Sequence, residues 1–405
     1  MKVCVIGGGI IGLFSAYYLS EAGYEVAIVD KGDFSSGTSY GNAGMICPSH
    51  FIPLAAPGVI TQSIKWMFDA SSPFYIKPSL DPDLLRWCLS FFKHSTASHV
   101  RNNIGPLSAL LNWSRDLYIQ LSDQALSMDL KKKGIIMVCN TTGHLQTEIN
   151  LSHQANRIGI RAQVLSKNEI EALNPGTTIK ALGGVHYLDD MHVTPHMLMA
   201  SLKSKLKEKN IEWLPNTEVT GFKKERAVIK TAISTNGDVE ADQFVIAAGS
   251  WSSHIAHLAD CKILIQPGKG YNVTIEEVVP PWVTPMILVE GRVAVTPMGQ
   301  SLRLGGTMEI GGFNDVVLKN RIQGILKTIH AYLPDLDEAS LKEAPPWFGY
   351  RPLSSTGLPL ISRLPAYNNL FLNAGHGMLG LSLGPASGLL LTQLMNQSLR
   401  SGIVA

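Results

Sequence analysis

The chain opens with two linked stretches, Val5-Ile6-Gly7-Gly8-Gly9-Ile10-Ile11-Gly12 and, after an apolar-periodic segment, Glu25-Val26-Ala27-Ile28-Val29-Asp30. This order predicts a strand, a glycine turn, a helix and a second strand that ends in an acid. Gly7 permits the tight turn, Gly9 lets backbone N–H groups approach a pyrophosphate, and Gly12 allows close packing of the helix on the strand. The helix N-terminus adds a partial positive charge, and Asp30 is placed to accept from both ribose hydroxyls. The stretch therefore predicts a dinucleotide-binding unit.

The overall composition is that of a folded protein with no polyelectrolyte partner. The chain has 405 residues, of which 45% are hydrophobic, so it can bury a substantial core. With 34 basic and 32 acidic side chains, the formal net charge of +2 does not call for nucleic acid. The five cysteines are odd in number and never spaced as Cys-x-x-Cys, so we expect neither a disulfide framework nor a metal site. A reducing compartment fits this cysteine pattern best.

The sequence also bears on membranes. The first predicted strand begins at Lys2 without a preceding basic and apolar leader, and no uninterrupted apolar run reaches the roughly 18 residues that span a bilayer. We therefore expect a cytoplasmic protein. The segment 59–92 allows two interpretations, contact with a bilayer surface or burial against the substrate domain. Its aromatic and methionine residues are Trp66, Met67, Phe68, Phe74, Tyr75, Trp87, Phe91 and Phe92.

No proline- or glycine-rich linker divides the chain into consecutive halves, so two domains are expected to be interleaved. The predicted fold class is α/β, with a Rossmann-like dinucleotide-binding domain interleaved with an α+β substrate domain built on an antiparallel sheet. The predicted limits are 1–50, 147–262 and 349–405 for the nucleotide-binding domain, and 51–146 and 263–348 for the substrate or cap domain. Helices are predicted over Val59–Phe68, Pro82–Phe92, Ile104–Asp123 and from Pro195 to about Lys209.

The dinucleotide is predicted to be a flavin. A nicotinamide dehydrogenase and a flavoprotein can begin alike, but no second strand, glycine turn and helix unit follows residue 50. Electrons must then come from a substrate bound directly over the cofactor. The segment Gly375–Gly380 precedes an apolar helix, so its N–H groups can face the negative pyrimidine end of a reduced flavin. An ordinary glycine-rich helix start is the alternative for this segment.

Several further segments carry a resemblance that covers nearly the whole chain. Beside the opening motif with Asp30, they are 37–46 (GTSYGNAGMI), 56–59 (APGV), 64–68 (IKWMF), 269–271 (KGY), 347–352 (WFGYRP) and 375–377 (GHG). In this order they resemble the D-amino-acid oxidase superfamily of FAD-dependent amine oxidoreductases, and most of all its bacterial D-amino-acid dehydrogenase branch. The resemblance implies FAD as the cofactor. Some sarcosine oxidases attach flavin through a cysteine after the segment matching Arg351, but no cysteine follows Cys261, so the FAD is expected to be noncovalent.

The resemblance also implies site residues. Arg351 matches an arginine that clamps the substrate carboxylate, in keeping with the two parallel hydrogen bonds that a guanidinium offers. Tyr271 matches a position whose hydroxyl reaches the same carboxylate, although packing in the pocket roof is the alternative. His50 is expected to border the pocket, with either a catalytic role or none. The expected FAD contacts are Gly7, Gly9, Ile10, Ile11, Gly12, Asp30, Lys31, Thr38, Ser39, Asn42, Ala43, Gly44, Met45, Val219, Ala248, Gly249, Trp251, Gly375, His376, Gly377, Met378, Leu379 and Gly380.

Three functions are compatible with these residues. The favoured one is oxidative deamination of a D-amino acid to a 2-oxo acid and ammonia, by hydride transfer from Cα to flavin N5. The second is oxidation of glycine, sarcosine or a cyclic secondary amine such as D-hydroxyproline. The third, a nucleotide-binding interaction protein without turnover, would leave Arg351 without a function. The resemblance further implies a membrane quinone as electron acceptor and association with the inner face of the cell membrane. It leaves the substrate side chain and the oligomeric state open.

Overall fold

The computed structural model describes residues 1–59, 72–279 and 281–402. The helices are α1 (Ile10–Glu21), α2 (Pro82–His94), α3 (Ala97–Gln124), α4 (Thr142–Arg157), α5 (Lys167–Ala172), α6 (Pro195–Glu208), α7 (Ser252–Leu258), α8 (Lys319–Tyr332), α9 (Glu338–Glu343) and α10 (Gly380–Gly402). The strands are β1 (Lys2–Ile6), β2 (Glu25–Val29), β3 (Met45–Ile46), β4 (Phe74–Ile76), β5 (Ile135–Cys139), β6 (Ala162–Ser166), β7 (Gly183–Tyr187), β8 (Met191–His192), β9 (Glu212–Leu214), β10 (Val219–Glu225), β11 (Val228–Ser234), β12 (Val239–Glu240), β13 (Gln243–Ile246), β14 (Ile265–Ile275), β15 (Met286–Leu288), β16 (Val293–Met298), β17 (Ser301–Ile310), β18 (Trp347–Ser354), β19 (Leu360–Arg363) and β20 (Leu370–Ala374). The helix predicted over Val59–Phe68 lies outside the described residues except for Val59.

A six-stranded sheet holds the opening motif. Its order is β19-β20-β13-β1-β2-β9, and β1 pairs in parallel with both β2 and β13. Val3, Cys4 and Val5 are fully buried because both faces of the sheet are covered, which suits a continuous apolar run. Helix α1 packs on one face, and the three-stranded sheet β10-β11-β12 packs with α7 on the other. The predicted strand, glycine turn, helix and second strand are therefore confirmed, and so is the mixed α/β fold class.

A nine-stranded sheet forms the second layer. Eight of its strands follow the order β18-β14-β17-β16-β15-β5-β7-β6, and β4 pairs with β17. Most of the pairs are antiparallel, including β14 with both β17 and β18. A register shift in the β14–β17 pair lies between Lys269 and Tyr271. Since β18 runs along β14, the segment that contains Arg351 is a strand of this substrate-side sheet.

Sheet membership differs from the predicted domain limits in two regions. Strand β18 belongs to the nine-stranded sheet although most of it lies within 349–405, which was predicted as nucleotide-binding domain. Strands β6 and β7 lie within 147–262, which the sequence assigned to the nucleotide-binding domain, yet both belong to the nine-stranded sheet. Their partner β5 precedes residue 147, and no composition change marks a boundary between them. The segment 263–348, predicted as part of a domain built on an antiparallel sheet, also contains the helices α8 and α9. These differences arise because pairing between distant strands decides membership in a sheet, and such pairing leaves no local signal.

The C-terminal helix α10 packs in the core. The helical segment Gly377–Ser398 is long and apolar enough to cross a membrane by length and composition alone. Within it, 61% of the apolar 18-residue stretch is buried inside the protein. A Cβ atom at Gly388 would lie 2.5 Å from the carbonyl oxygen of Phe14, so the glycine permits close contact between α10 and α1. This packing is that of a core helix in a folded protein.

Candidate active site

The glycines of the opening motif form a cradle that side chains would destroy. Gly7 has a φ of +116°, and a Cβ there would lie 2.5 Å from the carbonyl oxygen of Ala247. A Cβ at Gly12 would lie 1.8 Å from the carbonyl oxygen of Gly7. A Cβ at Gly9, by contrast, would meet only the Ser39 hydroxyl oxygen, at 3.5 Å. Gly9 is the N-cap residue of α1 and has no side chain to cap the helix. The first turn of α1 therefore keeps N–H groups for a ligand, apart from that of Ile10, as a pyrophosphate site requires.

Asp30 and the loop after β2 complete this cradle. The Asp30 carboxylate accepts hydrogen bonds from the backbone N–H groups of Gly8 at 2.6 Å and of Gly32 at 2.7 Å. These bonds fix the carboxylate at the end of β2 and leave lone pairs for ribose hydroxyls. The Ser39 hydroxyl oxygen accepts from the N–H of Ile10 at 3.0 Å, which joins the second glycine-containing loop to the start of α1.

The remaining expected FAD contacts lie at the same end of the six-stranded sheet or in its core. The Lys31 ammonium lies 3.8 Å from the ring centroid of Trp251, a cation–π contact beside Asp30. Gly249 has a φ of +56°, and Ala248 precedes it as the N-cap of a short 3-10 turn. Val219 is a buried core residue, so its side chain is occupied by packing.

A cavity of about 940 Å³ separates the nucleotide-binding loops from the nine-stranded sheet. It brings together residues that the sequence predicted from four distant segments. These are Thr38, Asn42, Ala43, Met45, His50, Tyr271, Arg351, Met378 and Leu379. The glycines of the cradle and Asp30 do not line it. The cavity is therefore placed for the flavin ring and a substrate, while the cradle serves the nucleotide end.

Small residues form the floor of the cavity. Asn272 on β14, Gly305 on β17 and Ala294 on β16 occupy one register row across the sheet, and all of them line the cavity. The Asn272 amide donates to the carbonyl oxygen of Gly41 at 2.7 Å. Trp347 on β18 pairs with Asn272 on β14. Its ring lies over Gly41, where an added Cβ would be 2.2 Å from a ring atom. The floor is thus tied to the loop that contains Asn42.

Arg351 brings an unneutralised cation to this cavity. Its guanidinium lies over Gly270, where a Cβ would be 1.9 Å from Nη1, and Nη1 donates to the carbonyl oxygen of Thr307 at 2.8 Å. Within the described ranges it makes no ion pair with a carboxylate. Burial lowers the pKa of Arg351 to about 10, so the group stays charged at neutral pH. Even a half-buried cation without a counterion is costly, and an anionic ligand would offset that cost.

Tyr271 is among the residues that line the cavity, but its side chain lies on the opposite face of β14 from the Arg351 guanidinium. Its side chain is buried, and its hydroxyl donates to Glu309 Oε2 at 2.9 Å. Burial raises the pKa of Tyr271, and the bond to Glu309 raises it further. Because neighbouring residues of a strand alternate between faces, Gly270 faces Arg351 and Tyr271 faces the core beneath α8. The geometry therefore fits the alternative of roof packing and does not place the Tyr271 hydroxyl where the sequence predicted it.

His50 lines the cavity as predicted, and the structure adds two partners that the sequence did not reveal. His50 Nδ1 lies 3.1 Å from the Ser49 hydroxyl, which donates to Asp190 Oδ2 at 2.5 Å. Burial lowers the pKa of His50 to about 4, so its ring is neutral at pH 7. Burial raises the pKa of Asp190 to about 7. The catalytic role predicted for His50 remains a prediction.

The loop before α10 borders the cavity at Met378 and Leu379. Gly375 and Gly377 have φ values of +78° and +58°, which favour glycine. His376, between them, is buried, and its Nε2 lies 2.9 Å from the hydroxyl of Ser387. Burial lowers the pKa of His376 to about 3. Its imidazole is directed into the protein, so this loop can contact a flavin through its backbone and not through acid–base chemistry of His376.

These features together fit FAD. A glycine cradle at an uncapped helix start suits the pyrophosphate, Asp30 suits the ribose, and the cavity wall of Asn42, Ala43 and Met45 suits the ring. The donor set is rich in backbone N–H groups, which match the anionic regions of this cofactor.

Comparison with known proteins agrees with this fit. A family model described as FAD dependent oxidoreductase matches residues 2–394. The D-amino acid dehydrogenase of Vibrio atlanticus (strain LGP32) is 30% identical, over 98% of this chain and 96% of that protein. The D-amino acid dehydrogenase of Granulibacter bethesdensis is also 30% identical, again over 98% of this chain and 96% of the relative.

Solved structures show the same fold. Glycine oxidase from Geobacillus kaustophilus superimposes with a TM-score of 0.77 at 24% identity, covering 98% of this chain and 95% of that one. Glycine oxidase from Bacillus cereus ATCC 14579 gives a TM-score of 0.76 at 23% identity, covering 98% and 97%. Cradle, cavity and family match point the same way: the chain belongs to the FAD-dependent oxidoreductase family that also contains the D-amino acid dehydrogenases, and it is an FAD-dependent enzyme.

Proposed function

We propose that this enzyme oxidises a D-amino acid to the 2-imino acid, which water hydrolyses to the 2-oxo acid and ammonia. The observation that carries the proposal is the Arg351 guanidinium, which lines the cavity beside the flavin loop and lacks an anionic partner among the described residues. The relatives at 30% identity that are named D-amino acid dehydrogenases support the substrate class.

The protein's part in this reaction is to orient the substrate. Arg351 would bind the substrate carboxylate through two parallel hydrogen bonds, which fixes the direction of the Cα–H bond. The floor of Asn272, Gly305 and Ala294 carries no large side chain, which leaves room for a flat group above it. FAD, when bound, supplies the hydride acceptor N5. Because a neutral amine already carries the electron pair that forms the imine, orientation suffices and no obligatory general base is required.

Anaerobic reduction of the purified yellow protein tests the proposal. D-Alanine is expected to remove the visible flavin absorbance, whereas L-alanine leaves it unchanged. Glycine, sarcosine and D-hydroxyproline, assayed in parallel, separate the favoured function from small-amine oxidation. Fast reduction by one of those three and none by any D-amino acid with a side chain would replace the proposal by its alternative. If the flavin kept its full visible absorbance with every amine, both the proposed function and its alternative would be contradicted.

We further propose a membrane quinone as the electron acceptor, reached by contact of α2 with the inner face of the cell membrane. Leu85, Leu89 and Phe92 are spaced along one face of α2, and they are 47%, 71% and 66% exposed. Leu89 and Phe92 also line the cavity, so the exposed apolar face adjoins its mouth. Trp87 and Phe91 stack on each other on the buried side. The buried and the exposed apolar residues of α2 thus lie on opposite faces of the helix, which supports membrane contact by the exposed face. Trp66, Met67 and Phe68 lie outside the described residues.

Flotation with anionic phospholipid vesicles tests the membrane contact. The wild-type protein is expected to float with the vesicles, because burying the α2 face in the interface removes apolar surface from water. The double variant Leu89→Ser/Phe92→Ser should remain at the bottom of the gradient. Leu182→Ser, at a residue 53% exposed elsewhere on the surface, is the matched control and should float. Equal flotation of all three proteins, or of none, would contradict the assignment.

A further inference from the structure

Three potential metal ligands meet at the cavity wall. Cys47, His50 and Asp190 each offer one ligand atom, and the sulfur, nitrogen and oxygen lie within 4.8 Å of one another. Thiolate, imidazole and carboxylate are the three ligand types that zinc takes in proteins. We propose that these residues bind one divalent ion of the zinc class.

The backbone brings these ligands together. Strands β3 and β8 pair antiparallel, with Ile46 opposite Met191. The residue that follows β3 and the residue that precedes β8 are therefore neighbours. Those residues are Cys47 and Asp190. The N–H of Cys47 donates to the Ser382 hydroxyl oxygen at 3.1 Å, which fixes the turn after β3. His50 follows three positions later, giving a Cys-x-x-His pair with its third ligand supplied from a remote strand end.

A single residue orients two of the ligands. The backbone N–H of Ser49 donates to Asp190 Oδ1 at 3.0 Å, and the Ser49 hydroxyl donates to Asp190 Oδ2 at 2.5 Å. The same hydroxyl lies 3.1 Å from His50 Nδ1. Metal-binding carboxylates and histidines commonly have such outer-shell partners, which set the direction of the ligand atoms. Ser49 has this relationship to both side chains at once.

The position of the cluster leaves one side open. Cys47 and His50 line the same cavity as Arg351, whereas Asp190 is fully buried behind them. Three protein ligands leave a fourth tetrahedral position for water or another small ligand. On binding, the thiol and a protonated carboxyl release their protons, and the resulting two negative charges balance the divalent ion.

Zinc binding to the FAD-loaded protein tests the site. After chelator treatment, dialysis against ZnCl2 and elemental analysis, one zinc per chain is expected in the wild type. Cys47→Ala and Asp190→Asn should each weaken binding at least about tenfold, the lower end of the loss seen for outer-shell partners alone. Cys88→Ala is the matched control, because Cys88 lines the cavity but has no place in the ligand cluster, and it should bind like the wild type. The flavin spectrum confirms that each variant is folded.

A second measurement needs no variant. Addition of Cd²⁺ to the metal-free, FAD-loaded wild type is expected to produce a thiolate charge-transfer band in the ultraviolet difference spectrum, because the sulfur of Cys47 would bind the ion directly. Its absence would overturn the proposal, as would wild-type zinc affinity in Cys47→Ala.

Discussion

Arg351→Ala is expected to retain FAD and to lower kcat/KM for D-alanine by about 100-fold or more. Removing one partner of a buried charge pair costs roughly 2–5 kcal/mol, and each 1.4 kcal/mol corresponds to about tenfold in rate. The cradle of Gly7, Gly12 and Asp30 does not involve Arg351, so the flavin content should stay at the wild-type level. Steady-state kinetics with an artificial dye acceptor gives kcat/KM, and visible absorbance gives the flavin content.

Three further variants separate geometry from charge. Gly270→Ala keeps Arg351 but adds a Cβ 1.9 Å from the position of its Nη1 atom. The Arg351 guanidinium should therefore be displaced, and kcat/KM should fall as well. Arg351→Lys keeps a cation without the planar pair of donors and should be intermediate. Arg363→Ala, at an exposed position of β19, is the matched control and should behave as the wild type. Turnover of Arg351→Ala within about twofold of the wild type would contradict the carboxylate role.

Gly12→Ala is expected to yield protein that has lost most of its FAD. The added Cβ would lie 1.8 Å from the carbonyl oxygen of Gly7, so α1 must move away from β1 or the glycine turn must distort. Either change displaces the N–H groups that face the pyrophosphate. We expect FAD affinity to fall about 100-fold, in keeping with the roughly 1–3 kcal/mol cost of overpacking and a comparable loss of binding contacts. The ratio of flavin to protein absorbance after gel filtration measures the result.

The matched control lies in another helix. A Cβ at Gly105 in α3 would meet nothing within 4 Å, so Gly105→Ala should keep its FAD. It should also be more stable by about 0.5–1 kcal/mol, because alanine is the better helix former. A yellow, fully loaded Gly12→Ala protein would show that the cradle is not where FAD binds.

The opening motif predicted its own structure because all of its determinants are local. Strand β1, the turn at Gly7 and helix α1 follow from apolar runs and glycine spacing within one segment, and these elements are confirmed. The place of Arg351 at the cavity was also predictable, since its neighbours carry the family resemblance, whereas its contact with the substrate stays a prediction. The approach of Arg351 to Gly270 was not predictable, because that contact depends on the register between β14 and β18.

The residues that sequence reasoning misplaced or missed depend on long-range pairing. Tyr271 was assigned to the substrate, but which face of β14 it occupies is set by the pairing of Gly270 with Gly349 on a distant strand. Asp190 gave no signal at all, because it meets Ser49 only through the β3–β8 pair. The Cys-x-x-His spacing of Cys47 was visible in the sequence. The nearness of Asp190 to that pair was not visible, and the expectation of no metal site, which followed from cysteine spacing, stays a prediction.

The most direct test is a titration of the FAD-loaded protein with propionate, a carboxylate that lacks the amine and cannot be oxidised in this reaction. Binding of its carboxylate at Arg351, beside the flavin, is expected to perturb the visible flavin spectrum in a saturable way, and Arg351→Ala should abolish that change while keeping its FAD. An identical, saturable perturbation in the wild type and in Arg351→Ala would contradict the placement of the substrate carboxylate at Arg351.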